Sequence, residues 1–226
     1  MHQEDRTSRH FTEELEALKA RLLEMGRLAE ARVALAMHGL TARDESVLAE
    51  VIDGDQAVNE YQLEIDDRCF KLLALRQPVA NELRFIVAAA KITGDLERIG
   101  DLAVNVAEAA RHFIQHPPGK PLIDLPRMSE IAQEMLRDAL EAFVSGNVAQ
   151  TKDILQRDDI LDELKDQVFR ELLTYMLGDA AIVAPALDLV LISRHLERVG
   201  DHATNIAEDA IFSAEGKDVR HHANPL

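Results

Sequence analysis

Glu97, Asp101, Asn105 and Glu108 follow one another at spacings of four, four and three residues, and Glu197, Asp201, Asn205 and Glu208 repeat them one hundred positions later. On an α-helix such spacings put each set on one stripe, because residues three and four apart share a face. Carboxylates at i and i+4 repel one another by a few tenths of a kcal/mol, roughly 0.5 at most, and a bound cation turns that repulsion into coordination. A second acidic pair stands ready to face each stripe from the preceding helix: Asp55 with Asn59, and Asp158 with Asp162, each at i and i+4. A donor set made only of oxygen suits Mg²⁺, Mn²⁺ or oxidised iron. Zn²⁺ fits less well, since it more often recruits His or Cys. His202, next to Asp201, either joins or tunes the second site or is a plain surface residue. The competing reading of both stripes is a solvated face, neutralised by i, i+3 pairing of Arg98 with Asp101 and of Arg198 with Asp201; such exposed pairs contribute little.

The hundred-residue interval marks a duplication. Residues 95 to 110 and 195 to 210 share ten identities in sixteen positions, against about one by chance at background frequencies. Within the segment, Ile92, Leu96, Ile99, Ala103, Val106 and Ala110 form an apolar stripe, matched by Ile192, Leu196, Val199, Ala203, Ile206 and Ala210. These are expected to be core and need no function. The acidic stripe lies about 100° around the helix from them, on the rim of the bundle. Gly100 and Gly200 sit in helix interiors, where glycine costs about 1 kcal/mol relative to alanine; their recurrence predicts close approach by a neighbouring helix or a ligand.

The elements that must position these stripes are helices. Phe11, Leu15, Leu18, Leu22, Met25 and Ala29 keep a helical seam that Gly39 is expected to end. Thr41 and Asp44 are placed to cap the next helical segment, and Gly54-Asp55 marks a break or a kink before the helical pattern of Val58, Leu63, Phe70 and Leu73. Pro78 suits the opening turn of a long helix reaching about His116. The second half repeats the plan, with one helix from about Pro126 to Ser145, one through Ile154, Leu161, Leu164, Val168 and Leu172, and one from about Asp179 to Phe212 with Pro185 in its first turns. Gln115 to Pro126 holds four of the seven prolines and reads as a linker. The predicted fold is therefore all-α, two tandem pseudo-symmetric three-helix bundles with six main helices, each roughly 30 to 50 Å long. The boundaries are residues 1–116, a linker at 117–126, residues 127–214 and a polar, frayed tail at 215–226.

Composition narrows the function classes. The chain has 226 residues, 47% of them hydrophobic, with nine Phe and Tyr and no Trp, which favours helices and a sizeable core. A net charge of −16 repels nucleic acid and anionic lipid, leaving cations or basic protein surfaces as partners. A single cysteine, Cys69, gives no intramolecular disulfide and fits a reducing cytoplasm. The first ten residues lack the apolar stretch of a signal peptide, and no apolar run is long enough to span a bilayer.

The two signature segments, Gly94 to Glu108 and His195 to Glu208, together with Gln77-Pro78 followed by Leu83-Arg84, resemble the PhoU family of phosphate-signalling proteins over nearly the whole chain. The resemblance implies tandem three-helix bundles, with metal clusters held in some members by motifs that here are Glu97 to Asp101 and Glu197 to Asp201. It implies a cytoplasmic adaptor without chemistry of its own, a homodimer that couples the ATPase of a phosphate ABC transporter to a sensor histidine kinase and silences the phosphate-starvation response. It meets the membrane only peripherally, through the transporter, and uses no organic cofactor. Asp95 is replaced by His195 in the second unit, so the two sites are expected to differ in metal occupancy or affinity. Two other readings compete. A carboxylate-bridged metalloenzyme is disfavoured because such bundles supply Glu-x-x-His pairs, and the chain has none. A structural helical scaffold unrelated to phosphate is compatible with the composition.

Overall fold

The computed structural model describes residues 2–76, 78–117, 122 and 124–219, with the side chains of 2–10 and 76 excepted. Gln77, part of the expected linker and the end of the expected tail therefore lie outside the described residues. Among those described there are seven α-helices and no strand: α1 (His2–Ala42), α2 (Glu45–Asp53), α3 (Gln56–Arg76), α4 (Ala80–Phe113), α5 (Leu125–Ser145), α6 (Thr151–Gly178) and α7 (Val183–Glu215). Short 3₁₀ turns, Val148–Gln150 and Ala180–Ile182, precede α6 and α7.

The sequence pattern predicts six main helices; a seventh, α2, is present because the chain breaks at Gly54 and does not merely kink there. Asp44 caps α2, its carboxylate accepting from the backbone of Ser46 and Val47. Thr41 takes no part, since its hydroxyl donates back to the carbonyls of Met37 and His38. Nor does Gly39 end α1, which continues to Ala42. The terminator is Arg43, at φ 54°, with Arg43 N–H donating to Leu40 and Asp44 N–H to Gly39. This pair of bonds is the usual left-handed helix stop, here with arginine where glycine is common. The Arg43 guanidinium donates to the carbonyls of Ile114 and His116 and lies over the Phe113 ring, which fastens the α1 stop to the end of α4.

Both predicted apolar stripes are core: Ile92 to Ala110 on α4 and Ile192 to Ala210 on α7 are buried throughout. So are Leu18, Leu22, Met25 and Ala29 of α1, with Phe11 and Leu15 packed at the edge. On α3 the expected pattern is corrected. Leu63 and Phe70 are 71% and 73% exposed, and the buried seam is instead Val58, Ile65, Cys69 and Leu72. Burial, then the charge of Asp66, pushes the Cys69 thiol up to about 12, so it stays protonated and inert.

The helices assemble about a centre of α1, α4, α7 and α5, in which α4 packs most extensively on α7. α2 and α3 cover the α1–α4 side, and α6 covers the α5–α7 side. The two units, α1 to α4 and α5 to α7, therefore share one continuous core running from Leu18 to Ala210, and do not hang as separate beads.

The two repeated helical glycines each mark a close approach, whereas Gly94, also inside α4, faces open space. A Cβ at Gly100 would lie 3.2 Å from Val58 of α3, and one at Gly200 would lie 2.6 Å from Leu161 of α6. The expected close approach thus comes from a neighbouring helix in both units. Gly200→Ala gains about 1 kcal/mol of helix propensity but overpacks a buried leucine, at a cost of about 1–3 kcal/mol. Thermal denaturation is expected to show net destabilisation of about 1 kcal/mol for Gly200→Ala and almost none for Gly100→Ala, whose neighbour needs to yield only slightly.

Candidate functional site

Gly100 and Gly200 immediately precede Asp101 and Asp201, so the close helix approach also sets the acidic residues of α3 and α6 against those of α4 and α7. In the first unit Asn59 Nδ2 donates to Asp55 Oδ2 at 3.2 Å, and the buried guanidinium of Arg32 stands 3.5 Å from Asp55 Oδ1. Glu97 faces this pair from α4. Its carboxyl is raised above the usual glutamate range by burial, then by the charge of Asp101, with Asp55 adding and Arg98 opposing. Arg98 donates to Asp101 at 3.2 Å and reaches to 3.6 Å from Glu97. The predicted Arg98–Asp101 pairing is therefore present, yet Glu97 remains crowded by negative charge.

The second unit is the more acidic. Asp158 and Asp162 of α6 face Glu197 and Asp201 of α7, so four carboxylates meet where the first unit has three and an amide. Burial, then the charges of Asp201 and Asp162, pushes the Asp158 carboxyl up to about 6. Asp201 is raised by burial and then by Asp162. Glu197 is raised by burial, with Asp201 adding to the shift. The counter-charge here is Lys165 of α6, whose Nζ donates to Asp162 Oδ1 at 2.7 Å and to Glu197 Oε1 at 3.0 Å. Spacing along α7 assigns this part to Arg198, and the structure gives it to Lys165. The position of Lys165 three residues after Asp162 is the signal for it in the sequence.

Not every residue of the predicted stripes joins these clusters. Asn205 Nδ2 donates to Asp95 Oδ1 at 3.3 Å, and His202 Nδ1 lies 2.7 Å from the same oxygen. Both therefore turn toward α4 at the seam between the units; His202 is no plain surface residue, and from its place beside Asp95 it acts electrostatically on Asp201 and on Glu97, tuning both clusters. Asn105 is half-buried and Glu108 exposed on α4. Glu108 and Glu208 each stand seven residues beyond Asp101 and Asp201, roughly 10 Å along the helix, away from the α3 and α6 acidic pairs. The exchange of Asp95 for His195 makes the seam itself asymmetric: burial, then Arg198 and Arg194, lowers the His195 pKa, whereas Asp95 carries the bonds to His202 and Asn205.

The donor chemistry of the two faces suits a hard cation, although among the described residues no three of their carboxylates bring ligand atoms within 4.8 Å of one another. The raised carboxyl pKa values record burial first and crowding of like charge second, and the donors are all oxygen. Glu97, Asp101, Asp55 and Asn59 would hold such an ion in the first unit, and Asp158, Asp162, Glu197 and Asp201 in the second. Lys165 and Arg98 now stand between several of these carboxylates, so a metal ion would enter by displacing an ammonium or guanidinium. Among the described residues no helix is long and apolar enough to cross a membrane.

Comparison with known proteins agrees with the duplicated all-α fold. A family model described as PhoU domain matches residues 22–110 and again 125–210, one copy over each acidic face. The phosphate-specific transport system accessory protein PhoU homolog of Caulobacter vibrioides is 38% identical over 216 residues, covering 95% of this chain and 94% of the relative. That of Aquifex aeolicus is 39% identical over 208 residues, covering 92% and 94%. Among solved structures, PhoU from Pseudomonas aeruginosa superposes with a TM-score of 0.87 at 35% identity, covering 92% of this chain and all of that one.

Proposed function

The chain belongs to the PhoU family, and from that premise we propose that it is a cytoplasmic, non-enzymatic regulator of phosphate homeostasis. In this reading it couples the ATPase of a phosphate-specific ABC transporter to a sensor histidine kinase and holds the phosphate-starvation response off when phosphate is plentiful. The relatives are named as accessory proteins of phosphate-specific transport. The observation that carries the reading within this chain is the pair of acidic faces, each built from one copy of a duplicated signature and each crowded with like charge.

Groups that disfavour one another at rest gain by meeting a counter-charge. A divalent or trivalent cation such as Mg²⁺, Mn²⁺ or iron, or a basic partner surface, supplies it. The faces bind; Glu97, Asp101, Glu197 and Asp201 from the long helices and Asp55, Asp158 and Asp162 from the flanking ones provide the charge. The outer side of α6 exposes Phe169, Leu173 and Leu177 at four-residue spacing, an apolar row that supports self-association as a homodimer.

Affinity capture from cells with the full-length chain as bait tests the adaptor reading. Retention of the transporter ATPase and the kinase is expected. Recovery of neither, together with unchanged phosphate-responsive transcription when the gene is deleted, would defeat it.

A further inference from the structure

A different cluster stands at the C-terminal end of α4. His112 lies in the last turn of that helix, His116 in the bend four residues on, and Asp188 in the second turn of α7. His112 Nδ1 is 2.8 Å from Asp188 Oδ2, and the His116 ring meets the His112 ring edge-on with centroids 5.6 Å apart. One ligand atom from each residue lies within 4.8 Å of the other two, which among the described residues no other group of three His, Cys, Asp or Glu side chains achieves.

None of the three residues is repeated in the other unit. One hundred positions away, Asp188 corresponds to the buried Ala88, His112 to Phe212 and His116 to Gly216. At the other end of the α4–α7 seam the crossing contact is a plain ion pair, Lys91 Nζ to Asp209 Oδ1 at 3.1 Å. At this end a carboxylate only 7% exposed meets imidazoles instead of an ammonium. A buried carboxylate is costly unless a positive charge or donor reaches it, and the last carbonyls of α4 add the negative end of a helix dipole. Arg43, beside this bend, is held by the carbonyls of Ile114 and His116.

Two imidazoles and one carboxylate are a donor set that favours a borderline divalent transition metal over Mg²⁺ or Ca²⁺. We propose that His112, His116 and Asp188 bind such an ion, zinc being the best match, and that it clips α4 to α7 across the seam between the two repeats. Zinc bonds of about 2.0–2.1 Å place tetrahedral ligand atoms roughly 3.3–3.5 Å apart; the three groups already lie within 4.8 Å of one another, so binding would open the 2.8 Å His112–Asp188 contact by roughly half an ångström and bring half-exposed His116 inward. Three protein ligands leave a coordination position open beside exposed His112. This site is independent of the acidic faces and of any metal they hold.

The test uses the untagged full-length protein, stripped with chelator, titrated with zinc chloride by calorimetry and assayed for bound zinc after gel filtration. The wild type is expected to retain one zinc equivalent that His112→Ala/His116→Ala loses and Glu197→Ala/Asp201→Ala keeps, with Asp188→Asn weakening it at least tenfold. Zinc content and affinity unchanged in the histidine double variant would overturn the proposal, as would zinc loss that follows the acidic variant alone. If circular dichroism shows the double variant misfolded, His116→Gln decides: tenfold weaker binding supports the site and unaltered binding refutes it.

Discussion

Asp158→Asn is expected to make the protein more stable at pH 7.5, by about 2 kcal/mol, or a rise of roughly 4–8 °C in melting temperature for a chain of this size. In the folded state the Asp158 carboxyl is pushed up to about 6 by burial and by Asp201 and Asp162, whereas in the unfolded chain it ionises near its ordinary value. A raised acid binds more protons folded than unfolded, so its contribution is most favourable at low pH and is lost as pH climbs through the window from about 4 to about 6. Above that window the wild type carries the full penalty of an ionised, crowded carboxylate, and asparagine removes it. Below a pH of about 4 the two proteins should melt together. Glu97, Glu197 and Asp201 are raised for the same reasons, so the wild type should gain stability on mild acidification. Melting curves from pH 4 to 8 check both expectations; an Asp158→Asn variant less stable than wild type at pH 7.5 would show that the carboxylate is satisfied where it stands.

Removing the resident cation of the second face should have the opposite character. Lys165 bonds Asp162 and Glu197 at 2.7 and 3.0 Å, two of the carboxylates that would hold a metal ion. Lys165→Gln is expected to lower the stability of the metal-free protein, since two carboxylates lose their partner. It should also raise Mn²⁺ affinity at least tenfold, about 1.4 kcal/mol, because the entering ion no longer competes with or is repelled by an ammonium. The first unit, whose counter-charge comes from Arg98 and Arg32, should be unaffected. Calorimetric titration of the two proteins measures this directly; equal or weaker Mn²⁺ binding in the variant would mean that metal does not enter beside Lys165.

The parts of this architecture that are local in sequence are legible there. The apolar stripes of α4 and α7 follow from spacing alone, and Gly100 and Gly200 announce close contact because they recur at the same place in both repeats, whereas Gly94, which does not recur, meets no neighbour. The features that escape a sequence reading do so for physical causes. Leu63 and Phe70 are large apolar residues on the solvent side of α3, so residue type points to the wrong seam while Val58, Ile65, Cys69 and Leu72 carry it. α1 outruns Gly39 because Arg43 adopts the left-handed stop, held by carbonyls of Ile114 and His116 far along the chain that no local pattern reveals. The position of Asn205 and His202 against Asp95 depends on how α4 crosses α7, as does the meeting of Asp188 with His112. Contacts between distant helices are set by packing, and a sequence shows only the residues that will take part.

The two acidic faces, and not the shared core beneath them, are proposed to carry the regulation. The most direct measurement is a phosphate-starvation reporter in cells whose only copy of this protein is the Glu97→Ala/Asp101→Ala/Glu197→Ala/Asp201→Ala variant, grown in abundant phosphate. Because these side chains lie on the rim and their charges crowd one another, the variant should fold and accumulate as the wild type does while the reporter is switched on. A reporter held fully silent by that variant at wild-type abundance would contradict the account.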